Sequence, residues 1–191
     1  MAMTEPIRNK EHVLKLTAFY LLRGQFRNHC LIMLGIYTAL RISDILRLTW
    51  DDVYDFSCGR VRKSILLTEK KTGKTQRVAL NERVAAALAL YAKEAAVEGR
   101  CVITNARTAK AICRIQAYRI VRAAARILRL PCRVSCHSLR KTFGYHAWKS
   151  GVSPAVIMEI YNHSSFAVTR RYLGVTQDDK DAAYLRLDFS A

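Results

Sequence analysis

The length of 191 residues and the composition, 51% hydrophobic and 25% charged, are typical of one compact globular domain rather than a disordered or fibrous chain. The apolar runs are far shorter than the roughly 20 residues that cross a bilayer, and the six cysteines form no CxxC pair, so we expect neither a membrane protein nor a disulfide or zinc framework. The net charge of +17 indicates a polyanionic partner.

The positive charge is concentrated in one region of the chain. From Gly99 to Met158, sixty consecutive residues contain twelve bases and no acid. A surface that is merely solvated usually carries both signs of charge, so we expect this part of the chain to face something negative.

In the first half of the chain, helices are followed by strands. Apolar residues at three- and four-residue spacing predict helices over 10–22 and 26–38, and Ser43 is expected to cap a short helix that reaches Leu48. Residues 61–69 and 75–80 then predict an antiparallel hairpin around a turn at 71–74, with a third strand near 53–56. Asn81 is expected to cap a helix that runs to about Val97.

The second half is predicted to be helical. A helix over 109–129 would have a core face centred on Ala117, Val121 and Ala124. Its opposite side carries four arginines, which we call the arginine stripe: Arg119, Arg122, Arg126 and Arg129. We expect the arginine stripe to contact phosphates. Further helices are predicted over 137–150, 153–161, 165–173 and 178–187. The predicted fold class is therefore mainly α with a small antiparallel β-sheet.

Several kinds of catalytic site are disfavoured by the motifs. The acidic clusters at 51–55 and 178–181 lie at expected element ends, where capping explains them better than Mg²⁺ binding, and neither G-x-S-x-G nor a Walker loop occurs. In the basic half, His137 and Arg140 are three residues apart, so both can reach one phosphate from one face of a helix.

The order of these residues resembles the catalytic domain of the tyrosine recombinases, or phage integrases. Thr38 to Leu46 looks like the first signature box, His137-Ser138-Leu139-Arg140 like the H-x-x-R box, and Asn162 stands where relatives usually have glycine. Asparagine tolerates the left-handed conformation that such a turn needs. The resemblance implies six catalytic residues, with Tyr172 as the nucleophile: Arg41, Lys71, His137, Arg140, His163 and Tyr172. It also implies that Asp44 is an acid that supports the active site.

The resemblance also implies a function. We expect a site-specific recombinase that cleaves and rejoins DNA through a covalent 3′-phosphotyrosyl intermediate, without metal, cofactor or ATP. The basic residues expected to bind DNA, besides the arginine stripe, are Lys70, Lys74, Arg133 and Lys141. The alternatives are a type IB topoisomerase-like relaxase and a non-catalytic basic DNA-binding protein.

The expected organisation follows from the same resemblance. Residues 1–173 would form the catalytic domain, and 174–191 a tail that packs on its own domain or on a neighbouring protomer. Typical relatives carry an N-terminal core-binding domain, for which the forty residues before Arg41 are too few. The chain would then be an excised catalytic domain or a minimal recombinase of the kind that inverts fimbrial promoters. We expect a monomer in isolation and a tetramer on double-stranded DNA, with accessory DNA-bending proteins, in the cytoplasm at the nucleoid.

Overall fold

A computed structural model describes residues 4–68, 73–94, 101–175 and 177–186 of the protein. In these ranges the chain is mainly helical, with two small antiparallel sheets, which confirms the predicted fold class. Lys70 and Lys71 in the hairpin turn, and the last residues of the tail, lie outside the described residues. No helix among those described is both long enough and apolar enough to cross a bilayer.

The helices and strands follow the predicted order closely. The helices are α1 (Lys10–Leu21), α2 (Phe26–Tyr37), α3 (Ile42–Ile45), α4 (Trp50–Val53), α5 (Glu82–Glu94), α6 (Arg114–Ile127), α7 (Cys136–Lys149), α8 (Pro154–Ile160), α9 (Phe166–Leu173) and α10 (Gln177–Leu185). The strands are β1 (Tyr54–Asp55), β2 (Arg60–Val61), β3 (Ser64–Thr68) and β4 (Thr75–Ala79).

The two sheets are separate hairpins. β3 pairs with β4 in antiparallel register, with Leu66 opposite Arg77, as predicted. The predicted third strand exists as β1, but it pairs with β2 and does not join the larger hairpin. The reason is a local turn, in which the Asp55 carboxylate accepts hydrogen bonds from the backbone N–H and the hydroxyl of Ser57, so the chain folds back at once.

Two predicted helix starts are wrong. α3 begins at Ile42 with Arg41 as its N-cap, not at Ser43, and it ends at Ile45, before Leu48. α6 begins at Arg114 rather than near 109, because Asn105 folds the preceding residues into a turn and accepts a hydrogen bond from the Arg107 N–H at 2.9 Å. Helix propensity alone does not reveal these competing turns.

Helix α2 is the centre of the core and positions the ends of its neighbours. It is buried around most of its circumference and packs against α1, α5 and α7. A Cβ atom at Gly35 would lie 2.6 Å from Leu139 Cδ1, so glycine is what allows α7 to approach this closely. The first turns of α7 therefore lie beside the segment that leaves α2 and carries Arg41.

Candidate active site

The two arginines of the predicted set lie side by side. Arg140 is only 2% exposed, and its guanidinium donates hydrogen bonds to the carbonyl oxygens of Ala39 and, at 2.8 Å, of Tyr161. Arg41 Nη2 donates to the same Tyr161 oxygen at 3.3 Å. One backbone oxygen thus holds two cations together, although they come from α7 and from the N-cap of α3.

Tyr161 holds the two arginines in place, although the sequence analysis did not propose it as a site residue. Its hydroxyl donates to the Arg140 carbonyl at 2.6 Å, and its ring lies 4.5 Å from the Arg140 Cζ atom. A Cβ atom at Gly144 would lie 3.0 Å from Tyr161 Cζ and closer still to its hydroxyl oxygen, so the ring needs a glycine on α7. The only signal in the sequence was that Tyr161 lies two residues before His163.

Tyr172 and both predicted histidines meet next to the arginines. The Tyr172 ring centroid lies 5.0 Å from that of His137 and 4.7 Å from that of His163. Asn162 turns the chain between α8 and α9 with φ at 51°, the left-handed conformation expected there. A straight helix would have separated His163 from Tyr172 by about 13 Å, but α9 begins only at Phe166, so the residues directly after His163 are not helical.

Hydrogen bonding and burial set the state of these groups. His163 Nδ1 lies 3.0 Å from the hydroxyl oxygen of buried Thr169, which fixes the orientation of the imidazole. Burial raises the pKa of the Tyr172 phenol, while the charges of Arg140 and Arg41 oppose that rise. The two cations favour ionisation of Tyr172, but burial outweighs them, and the net pKa is raised.

An open cleft gives access to this cluster. Its volume is about 980 Å³, and Arg41, His137, Arg140 and Tyr172 all line it. The first turns of α6 also line the cleft, with exposed side chains that the sequence analysis did not propose for the site, namely Arg114, Ile115 and Tyr118. They could have been found as the N-terminal continuation of the arginine stripe.

Two residues of the predicted set remain, the supporting acid Asp44 and the lysine Lys71. Asp44 is buried in the first turn of α3, where its N–H donates to the Arg41 carbonyl at 2.8 Å. Lys71 lies outside the described residues, so its role stays a prediction. The hairpin that carries it contacts the site, because Asn162 Nδ2 donates to Gln76 Oε1 on β4 at 3.3 Å.

The basic residues predicted to bind DNA separate into two groups. Lys74 and Arg133 are exposed, as is most of the arginine stripe, with Arg122 half-buried. Arg122, Arg126 and Arg129 line a hollow of about 370 Å³ on the same helix whose start borders the cleft. Lys70 lies outside the described residues.

Lys141 differs from these residues because it is buried, and its expected contact with DNA stays a prediction. Its side chain is only 5% exposed, and its ammonium donates to the Thr4 carbonyl at 2.5 Å. Lys141 follows Arg140 on α7, and its side chain is directed to the N-terminal segment.

Among the residues that the structure describes, no three His, Cys, Asp or Glu side chains come together as a group that could hold a metal ion.

Comparison with known proteins agrees with this geometry. The model of the family described as "Phage integrase family" matches residues 9–178. "Probable integrase/recombinase YoeC" of Bacillus subtilis (strain 168) is 38% identical over 184 residues, which are 96% of this chain and 97% of that protein.

Solved structures show the same fold. The crystal structure of XerA recombinase superposes with a TM-score of 0.80 at 19% identity, over 97% of this chain and 67% of the other. The site-specific recombinase XerH, bound to its palindromic difH substrate in a post-cleavage complex, gives a TM-score of 0.78 at 19% identity, over 97% of this chain and 54% of the other. The resemblance and the fold drawn from the sequence are confirmed, and the chain belongs to the phage integrase family, the tyrosine recombinases.

Proposed function

We propose that this protein cleaves and rejoins DNA strands at specific sites through a covalent bond between Tyr172 and a 3′-phosphate, without metal or ATP. One observation carries the proposal. Two guanidinium groups share the Tyr161 carbonyl oxygen, and the Tyr172 ring touches two imidazoles beside them at the edge of an open cleft.

The arginines and histidines have the chemistry that phosphoryl transfer requires. When an oxygen attacks a phosphodiester, negative charge must be stabilised on the nonbridging oxygens, and preorganised cationic donors do this without reorganisation. Arg41 and Arg140 offer planar forks that match phosphate oxygens, and His137 and His163 offer further N–H donors.

The bond changes are a transesterification. The Tyr172 hydroxyl oxygen attacks the phosphorus, its proton is lost, and the bond from phosphorus to the 5′-oxygen breaks. The leaving 5′-oxygen takes up a proton, for which Lys71 is the proposed donor, with Lys70 and Lys74 as alternatives. Attack on the phosphotyrosine by a 5′-hydroxyl from a second duplex reverses these steps, so strand exchange needs no external energy.

The arginine stripe is the proposed track for the DNA backbone. From Arg114 to Arg126 the helix α6 rises about 18 Å, enough to carry a strand from the cleft to the hollow lined by Arg122, Arg126 and Arg129. Contacts of this kind position the duplex and make the affinity depend on salt. The XerH structure, which contains its DNA substrate, supports duplex DNA as the partner.

The proposed organisation is a catalytic domain over 1–173 with a tail over 174–191. In the described part of the tail, Asp179 of α10 is paired with Lys149 of α7, so the tail contacts its own domain. Tyr184 and Leu185 are 77% and 87% exposed, which suits docking on another copy when four protomers assemble on DNA. In isolation we propose a monomer, acting in the cytoplasm at the nucleoid, with DNA-bending proteins as accessory factors.

The experiment that tests this function is trapping of the covalent intermediate. A preferred site is first selected from a random duplex library, and a nick near the cleavage position then lets the 5′-hydroxyl fragment diffuse away. We expect a protein–DNA adduct on a denaturing gel, with DNA binding retained and adduct lost in Tyr172→Phe. Tyr54→Phe is the matched control, because Tyr54 lies in the β1–β2 hairpin.

The outcomes separate the alternatives. An adduct that forms and religates but never joins two duplexes would favour a topoisomerase-like relaxase. Sequence-dependent binding without any adduct would favour a non-catalytic DNA-binding protein, and an adduct that survives in Tyr172→Phe would refute the assignment of the nucleophile.

A further inference from the structure

The N-terminal segment 4–8, which we call the strap, crosses the helix that carries His137 and Arg140. The Ile7 N–H donates to Thr142 Oγ1 at 2.9 Å, and His146 Nε2 donates to the Ile7 carbonyl at 2.9 Å. Ile7 is 1% exposed and belongs to the apolar cluster formed by α1, α2 and α6. The strap is thus fastened to α7 at two points one helical turn apart.

One end of the strap reaches the nucleophile through Lys141. The Lys141 ammonium donates to the Thr4 carbonyl at 2.5 Å, and it lies 5.6 Å from the centroid of the Tyr172 ring. Burial lowers the pKa of this ammonium, and the Glu5 carboxylate opposes that shift. A cation in a desolvated place interacts more strongly with an aromatic ring than one in water.

The strap also touches the end of the helix that carries Tyr172. Gly174 closes α9 in the left-handed conformation with φ at 64°, and a Cβ atom there would lie 3.2 Å from Pro6 Cγ and 3.7 Å from Arg8 Nη2. The strap therefore bounds α9 at its C-terminus, two residues after Tyr172.

From these contacts we propose that Lys141 is a positioning residue for Tyr172, and that the strap holds its ammonium against the phenol ring. The proposal rests on the proposed function, in which Tyr172 is the nucleophile. Lys141 acts through the orientation of the ring and does not touch the phosphate. Changes in residues 4–8 should therefore alter cleavage although they lie outside the cleft.

The test combines kinetics with a direct observation of the ring. Lys141→Met keeps the apolar stem and removes the charge, Lys141→Arg keeps a buried cation and donor, and Lys15→Met removes an exposed lysine of α1 as a control. A deletion of residues 1–4 removes the Thr4 carbonyl. For each protein we would measure DNA affinity, the rate of adduct formation at saturating DNA, thermal unfolding, and the Tyr172 ring signal in carbon–proton NMR of tyrosine-labelled protein.

We expect Lys141→Met to shift the Tyr172 signal and to slow adduct formation by about tenfold at unchanged DNA affinity, as loss of a desolvated cation–ring contact implies. Lys141→Arg should stay within about threefold of the wild type, and Lys15→Met should match it. The deletion of residues 1–4 should slow adduct formation to a similar extent. In the Lys141→Met background it should cause little further slowing, because both changes disrupt the same contact between Lys141 and the Tyr172 ring.

The Tyr172 ring signal and the rate of adduct formation together distinguish a failure of the strap inference from a failure of the proposed function. An unmoved Tyr172 signal with a wild-type rate in Lys141→Met overturns the strap inference while leaving the nucleophile intact. If Lys141→Met does not fold, a wild-type rate and signal in the deletion overturns it equally. A shifted signal in a protein whose wild type forms no adduct instead refutes the proposed function, and with it the catalytic meaning of the contact.

Discussion

Gly144 is the most informative single position for testing how the arginine pair is supported. The substitution Gly144→Ala adds a methyl group 3.0 Å from Tyr161 Cζ and Cε2 and still closer to the hydroxyl oxygen, so the Tyr161 side chain must move. The same hydroxyl donates at 2.6 Å to the Arg140 carbonyl, and that bond is strained or lost when the ring moves.

The magnitude follows from three contributions. Overpacking a core costs about 1–3 kcal/mol, and a lost buried hydrogen bond adds about 1 kcal/mol. Replacing glycine by alanine inside a helix contributes about 1 kcal/mol of stabilisation. The cost outweighs the gain, and we expect a net destabilisation of about 1–3 kcal/mol, or roughly 2–10 °C in Tm for a chain of this size.

The assay is urea and thermal unfolding followed by far-ultraviolet circular dichroism, in a double-mutant cycle with Tyr161→Phe. Removing the hydroxyl relieves the closest contact, so Gly144→Ala should cost less in the Tyr161→Phe background than in the wild type. Gly144→Ala with wild-type stability or better, or strictly additive effects in the cycle, would show that the close approach in the structure does not hold Tyr161 in place.

Three further results are expected. Arg140→Lys should slow adduct formation by about a hundredfold at unchanged DNA affinity, measured on the nicked substrate, because one ammonium cannot replace a guanidinium fork. Arg119→Ala and Arg126→Ala should each lower the slope of log affinity against log salt by about one, measured by fluorescence anisotropy, while the cleavage rate at saturating DNA stays unchanged. Burial raises the pKa of Tyr161 and Tyr172, so the native state binds protons more tightly than the unfolded state, and the free energy of unfolding should fall as pH rises above about 10. Urea titrations should show a smaller fall in Tyr161→Phe, and an equal fall would contradict this account.

The local elements were largely readable from the sequence, because their signals are local. The predicted hairpin strands and the helix caps Asn81 and Ser153 are confirmed. They could be predicted because the alternation of apolar and polar residues and the chemistry of helix caps involve only a few neighbouring residues. The errors arose where two local signals compete. Ser43 is a good capping residue, but the hydrogen bonds of α3 begin from the Arg41 carbonyl, two residues earlier.

The site shows the same division between local and long-range information. Three features could be read from the chain alone: the residue types in their order, the acid-free basic half and, through the resemblance, the candidate nucleophile. Two features became visible only in the folded protein: Arg41 and Arg140 share the Tyr161 carbonyl, and Lys141 faces inward to Thr4. The contacts of Arg41 with Tyr161 and of Lys141 with Thr4 join residues 120 and 137 positions apart. They depend on how closely α7 approaches its neighbours, and that approach is set by packing around Gly35 and Gly144, which leaves no periodic pattern in the sequence.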